Sequence, residues 1–227
     1  MKRHFSLPHS LVLLFTCSLI FFFSFSHACA KKVKLTIDGK VYSTQTRLYL
    51  IINEDIENAQ QLPIEDRHFS VTVEVPRDAF VRIHDYKEWP ERSAFVLIPD
   101  SRHISIDWTD GTIEGSPKSK ELQLICRQVA QEGPENFHVD VFSDDKEAWA
   151  EARAQEKIMR DKMQMMQINT IERVIKENNN NNNFPAWIVY CYQSLLEGPF
   201  RHIIDANKNH KWAKHTIIKK SGVLDKP

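Results

Sequence analysis

Along residues 33–113 apolar and polar positions alternate. Val33, Leu35 and Ile37 interleave with Lys34, Thr36 and Asp38. Phe69, Val71, Val73 and Val75 interleave with Ser70, Thr72 and Glu74, and Ile104, Ile106 and Trp108 with Ser105 and Asp107. Successive side chains of a strand point to opposite faces, so this period of two predicts half-buried antiparallel strands. Two denser runs, residues 48–52 (LYLII) and 94–98 (AFVLI), predict more central strands covered on both faces. Asp38-Gly39 predicts a turn or bulge in the first strand, and Pro63, Pro76, Pro90 and Pro99-Asp100 break the runs. Residues 31–115 therefore read as an antiparallel β-sandwich or open barrel of six to seven short strands.

After Gly115 the period becomes helical, and the fold class is α+β. Leu122, Ile125, Cys126 and Val129 keep helical spacing up to Gly133-Pro134. A long amphipathic helix is predicted from about Asp145 to Lys176, with Asp144 or Asp145 as its cap. Its stripe of Ala152, Met159, Met163, Met166 and Val174, widened by Ile158, Met165, Ile168, Ile171 and Ile175, reads as core rather than as a soft binding surface. The asparagine tract 178–183 predicts a solvated loop, because asparagine competes with the helical backbone for hydrogen bonds. A further apolar helix runs from Phe184 to about Glu197, Gly198-Pro199 breaks it, and one or two short helices follow. The helical region spans 116–220, and 221–227 reads as a frayed tail.

The N-terminus changes the picture of where the protein works. Met1-Lys-Arg-His is basic, residues 11–25 (LVLLFTCSLIFFFSF) are almost wholly apolar, and small residues follow at Ala28-Cys29-Ala30. This is the pattern of a secretory signal peptide over residues 1–30, its apolar core being short for a membrane span. Cleavage before Lys31 leaves a soluble exported chain; alternatively Cys29 is the acylated cysteine of a lipoprotein, and only then is the membrane a partner. The expected compartment is the periplasm or cell envelope of a Gram-negative bacterium. Cys126 and Cys191 are the cysteines left in the body of the chain, and in an oxidising compartment they either pair or stay as buried free thiols. Lys+Arg and Asp+Glu number 30 each, so no field of one sign argues for nucleic acid as a partner.

Candidate chemistry is sparse. Residues 111–122 (GTIEGSPKSKEL) carry two glycines and a Lys-Ser pair but fail as a phosphate loop. Three residues rather than four separate the glycines, and Ser-Pro stands before Lys118. The same residues fit a structural joint: a strand end at 112–114, a turn at Gly115, Ser116 as helix cap and Pro117 in the first helical position. His68, His84 and His103 fall in separate strands, His138 in a connector, and His202 with Asp205 on one helix face. No motif for zinc or for a nucleophile is present, so no catalytic residue, metal or cofactor is assigned. Cys126, among Leu122, Ile125 and Val129, reads as a buried inert thiol. Tyr49, Tyr86, Trp89 and Trp108 either line a ligand groove or, as most such aromatics do, pack in the core.

The order of LTIDGKV, TRLYLII, HFSVTVEVP, FVLIPDSRHISIDW and TIEGSPKSKELQ resembles the N-terminal domain of unknown function that precedes thioredoxin-like domains in Bacteroidetes envelope proteins. The matching features are Gly39 in the first strand, Pro99 before Ile104-Ser-Ile-Asp107, and Gly115-Ser116 opening a helix, over about residues 33–130. The resemblance implies an envelope location and a thiol-disulfide context. This chain has no C-x-x-C, so no catalytic residue carries over. The expectation is an accessory or binding module without catalysis, with an unknown envelope protein or small ligand as partner. The alternative is a redox accessory to a separate thioredoxin-like protein.

Overall fold

The computed structural model describes residues 31–85, 94–134, 137, 139, 146–178 and 183–225. The signal segment with Cys29, the caps Asp144 and Asp145, and Tyr86, Trp89, Pro90 and His138 lie outside the described residues, as do 179–182 of the asparagine tract.

Among the described residues eight strands form two four-stranded sheets, not a single six-to-seven-strand sandwich or barrel. The strands are β1 (Lys32–Lys40), β2 (Leu48–Ile52), β3 (Gln60–Leu62), β4 (His68–Pro76), β5 (Val81–His84), β6 (Phe95–Leu97), β7 (His103–Asp107) and β8 (Thr112–Glu114). One sheet has the order β4-β1-β7-β8 and the other β3-β2-β5-β6. The all-antiparallel expectation also needs correction: β1 and β7 are parallel, with Thr36 opposite His103 and Lys40 opposite Asp107. The chain builds the whole second sheet between these strands, and a long crossover is what lets two neighbours run the same way.

The alternating strands bury the side they were expected to bury. Leu35, Ile37, Phe69, Val75, Ile104 and Ile106 join Leu48, Leu50, Val81, Ile83 and Leu97 in one core between the sheets. Gly39 is not a turn. It sits within β1, and a Cβ there would overlap the Phe69 ring. The glycine lets an aromatic from the neighbouring strand lie on the backbone. The dense run at 94–98 forms an edge strand rather than a central one; it is apolar on both faces because Leu97 meets the sheet core and Val96 and Ile98 meet the helices.

The helices are α1 (Pro117–Gln131), α2 (Lys146–Glu177), α3 (Phe184–Cys191), α4 (Arg201–Asn207) and α5 (Thr216–Ser221), with 3-10 turns at Gly198–Phe200 and Lys211–Lys214. Their core contains Leu122, Val129, Ile171, Trp187, Ile204 and Trp212, and it takes in Phe80 and Ile98 from the strand region. Residues 33–227 form one unit with two cores.

Two expectations about the helices need correction. The predicted stripe of α2 is core only toward its C-terminal end: Ile168, Ile171, Val174 and Ile175 are buried, whereas Ile158 is 67% exposed and Met159, Met165 and Met166 are 38%, 46% and 47% exposed. Buried positions begin only at Gln167, whose Nε2 donates to the Val129 carbonyl at 3.0 Å. The 221–227 tail is not frayed over the described part. Gly222 closes α5 in the left-handed conformation, Val223 is fully buried, and Arg201 donates to the carbonyls of Val223 and Leu224 at 2.7 and 3.0 Å.

Candidate functional site

The segment from Asp107 to Thr112 carries a repeat that the sequence reading passed over: Asp-x-Thr, twice in succession. Asp107 Oδ1 accepts from the backbone N–H and hydroxyl of Thr109 at 2.8 and 2.5 Å. Asp110 Oδ1 accepts from the same groups of Thr112 at 2.9 and 2.7 Å. Each aspartate side chain thus stands in for a backbone turn, and the pair folds the connection between β7 and β8 into a rigid corner. The bonds from Thr109, with Lys40 nearby at 3.5 Å, hold the exposed Asp107 carboxyl below the usual carboxylate range.

Gly111 completes the corner at φ +73°, where a side chain is strained. Its carbonyl accepts from two side chains of α1, Gln123 Nε2 and Arg127 Nη2, both at 3.1 Å. A Cβ at 111 would lie 3.1 Å from that same Arg127 nitrogen. The glycine both permits the turn and leaves room for the guanidinium to dock on it.

Between this corner and α1 lies a pocket of about 540 Å³, within the size range of small-molecule sites. Phe95 and Trp108 form an apolar wall, packed edge to face at 4.9 Å, and Tyr42 stands at the rim, 48% exposed. Asp110, Arg127 and Gln123 supply the polar lining. Trp108 is the one described aromatic of the four singled out in the sequence that reaches the pocket; Tyr49 lies on β2, away from it.

The helix that forms one wall starts as its sequence predicts. Ser116 caps α1, its hydroxyl accepting from Ser119 N at 3.1 Å, and Pro117 opens the helix. Gly115 has φ +81°, and a Cβ there would come within 2.5 Å of the His103 carbonyl. Asp100, read from the sequence only as part of a break between strands, seats the helix start. One of its oxygens accepts from Ser116 Oγ at 2.6 Å and the other from Lys118 N at 2.9 Å. A carboxylate there also complements the helix dipole. Ser119 Oγ accepts from Ile98 N at 2.8 Å, tying α1 to the end of β6.

Both Cys126 and Cys191 are free thiols. Cys126 lines the inner end of the pocket. Part of the residue is accessible, but its sulfur is enclosed, and burial pushes the thiol up to about 12 despite a hydrogen bond with the Trp187 side chain. A thiol so raised is not a nucleophile at neutral pH.

The remaining titratable groups lie elsewhere. His68, His84 and His103 do fall in separate strands. His103 pairs with Asp38, whose carboxyl is lowered by Ser70 and then by His103. His202 bonds to the Pro199 carbonyl at 2.9 Å, while Asp205 pairs with Arg201. Arg82, fully buried on β5, donates from Nε and Nη2 to the two carboxylate oxygens of Glu54, both at 2.8 Å. His84, also buried, lies 3.1 Å from Asp85. No group of three metal-ligating residues converges among the described residues. Nor is any described helix long and apolar enough to cross a membrane.

Comparison with known proteins adds no relative: no protein-family model, curated protein or solved structure matches the chain.

Proposed function

We propose that this chain is an exported, envelope-located accessory protein that holds a small ligand in the pocket between the Asp107–Thr112 corner and α1, and that it catalyses no reaction by itself. The observation that carries the reading is the pocket's construction. Its polar corner is fixed by hydrogen bonds made within the protein, so little ordering remains to oppose ligand binding. An aromatic wall stands beside it. The basic start, apolar core and Ala28-Cys29-Ala30 site support export.

The alternative, a redox accessory of a separate thioredoxin-like protein, draws less support. Burial holds the Cys126 thiol protonated at neutral pH, and the thiolate is the form that exchanges.

Ala130 is exposed on α1 and lines the pocket, so Ala130→Trp adds bulk there from a solvent-facing position. Ligand-observed NMR of the purified protein against a mixed library of neutral, anionic and cationic small molecules is expected to yield binders that the variant loses. A library in which no binder is sensitive to Ala130→Trp removes the pocket as the working site. Fractionation of expressing Gram-negative cells tests the location: the chain is expected in the envelope, starting at Lys31 or acylated at Cys29, and full-length protein in the cytosol contradicts export.

A further inference from the structure

Among the described residues two charged side chains line the pocket, and they are not spent on each other. Asp110 and Arg127 both line it, yet they form no ion pair. Asp110 uses Oδ1 for both bonds to Thr112, which leaves Oδ2 as an open acceptor. Arg127 uses Nη2 on the Gly111 carbonyl, which leaves Nε and Nη1 as open donors. Gln123 gives one amide N–H to the same carbonyl and carries no charge, and the Cys126 thiol is neutral. One carboxylate edge and one guanidinium edge, held apart by the geometry of the Gly111 turn, therefore remain beside the wall of Phe95 and Trp108.

Asp110 and Arg127 are solvated in the free protein, so a ligand that covers these edges without matching them strips water from charge and weakens its own binding. A simple anion satisfies Arg127 but is repelled by Asp110, and a simple cation has the reverse problem. A neutral ligand matches neither. The complement of a fixed plus-and-minus pair is a molecule that carries both signs. Resting on the pocket reading above, we propose that the site takes a small zwitterion with an apolar body, the class of a free apolar amino acid or a short apolar peptide. Its carboxylate meets Arg127, its ammonium meets Asp110 Oδ2, and its apolar part lies against Phe95 and Trp108. The volume of about 540 Å³ leaves room for more than one residue of a peptide.

Isothermal titration calorimetry of the full purified protein tests this with L-phenylalanine and the dipeptide Leu-Phe, set against N-acetyl-Leu-Phe and Leu-Phe amide. At least one of the two zwitterions is expected to bind. Blocking either end of the dipeptide, or introducing Asp110→Asn or Arg127→Gln, is expected to weaken binding about tenfold or more, the effect of losing one charge-assisted bond. Because Asp110 also shapes the turn, circular dichroism and thermal melting of each variant accompany the titrations, and the blocked ligands give the same answer with the wild-type protein. Equal affinity for blocked and unblocked dipeptide overturns the inference. So does silence of both zwitterions while library binders sensitive to Ala130→Trp exist; in that case the pocket reading survives. If nothing binds in a manner sensitive to Ala130→Trp, both fall.

Discussion

The sheet β3-β2-β5-β6 is covered on both faces along β2, β5 and β6, and the two faces are made of different chemistry. Toward the other sheet it presents Leu48, Leu50, Val81, Ile83 and Leu97, all apolar. Toward the opposite side it presents Ile51 and Val96 together with Arg82 and His84, the last two as buried as any leucine. An apolar face needs only volume and shape, so its stability scales with the area removed from water. A charged group on a buried face needs a partner with matching geometry, because otherwise its desolvation is uncompensated. Glu54 supplies that partner. It lies just past β2 at φ 54°, after Asn53 at φ 50°, and this left-handed pair turns the carboxylate back under the guanidinium. Asn53 in turn accepts from Phe80 N at 2.9 Å, which locks the turn to the start of β5.

The contrast can be broken most severely on the charged side. Glu54→Ala leaves Arg82 buried without its bidentate partner and is expected to cost about 3–5 kcal/mol, read as a lower urea midpoint. Loss below about 1 kcal/mol would show that Arg82 is not held by Glu54 in solution. On the apolar side Ile83→Ala creates a cavity of ordinary kind, with an expected cost of about 3 kcal/mol and no dependence on pH.

The smallest effect sharpens the comparison through pH. His215 packs on Phe80, ring centroids 4.9 Å apart, so it belongs to the helix-facing side. Its Nε2–H donates to the Asp78 carbonyl at 2.7 Å, while Nδ1 accepts from Ile217 N at 3.3 Å and caps α5. Burial lowers its pKa below 6.5, outweighing the opposing effect of Asp78. The folded state therefore prefers the neutral ring, and the unfolded chain binds more protons between that lowered value and 6.5. Stability is full above about pH 6.5 and declines as pH falls, by at most about 1.4 kcal/mol per pH unit from this one group. The difference in slope between wild type and His215→Asn isolates the contribution. Parallel stability profiles from pH 7 to 5 would mean that the ring titrates alike in both states.

How much of this was legible beforehand varies with how local the cause is. The start of α1 could be read almost residue by residue, since Ser116, Pro117 and Gly115 act on the backbone within one turn. The alternation of Val33–Ile37 and Phe69–Val75 likewise reports a local geometry, and the strands follow it. The methionine stripe misled because period alone says which residues share a face, not whether another element covers it; α2 is buried only from Gln167 onward. Nothing local in residues 53–55 (NED) after LYLII reveals that Glu54 meets a residue 28 positions away. The pocket was half legible: Trp108 was singled out, and the doubled Asp-x-Thr at 107–112 was there to be read as a built corner. Its pairing with Arg127 crosses 16 residues.

By itself the sequence determined the succession of strands then helices and the joint at 115–117, because each rests on periodicity or capping. Only the tertiary structure decided that the strands divide into two sheets with β1 parallel to β7, that Val223 is held in the core, and that Asp110 and Arg127 face one cavity unpaired. Those facts depend on which distant segments meet, and that is set by the sum of many weak contacts across the whole chain rather than by any one stretch of it.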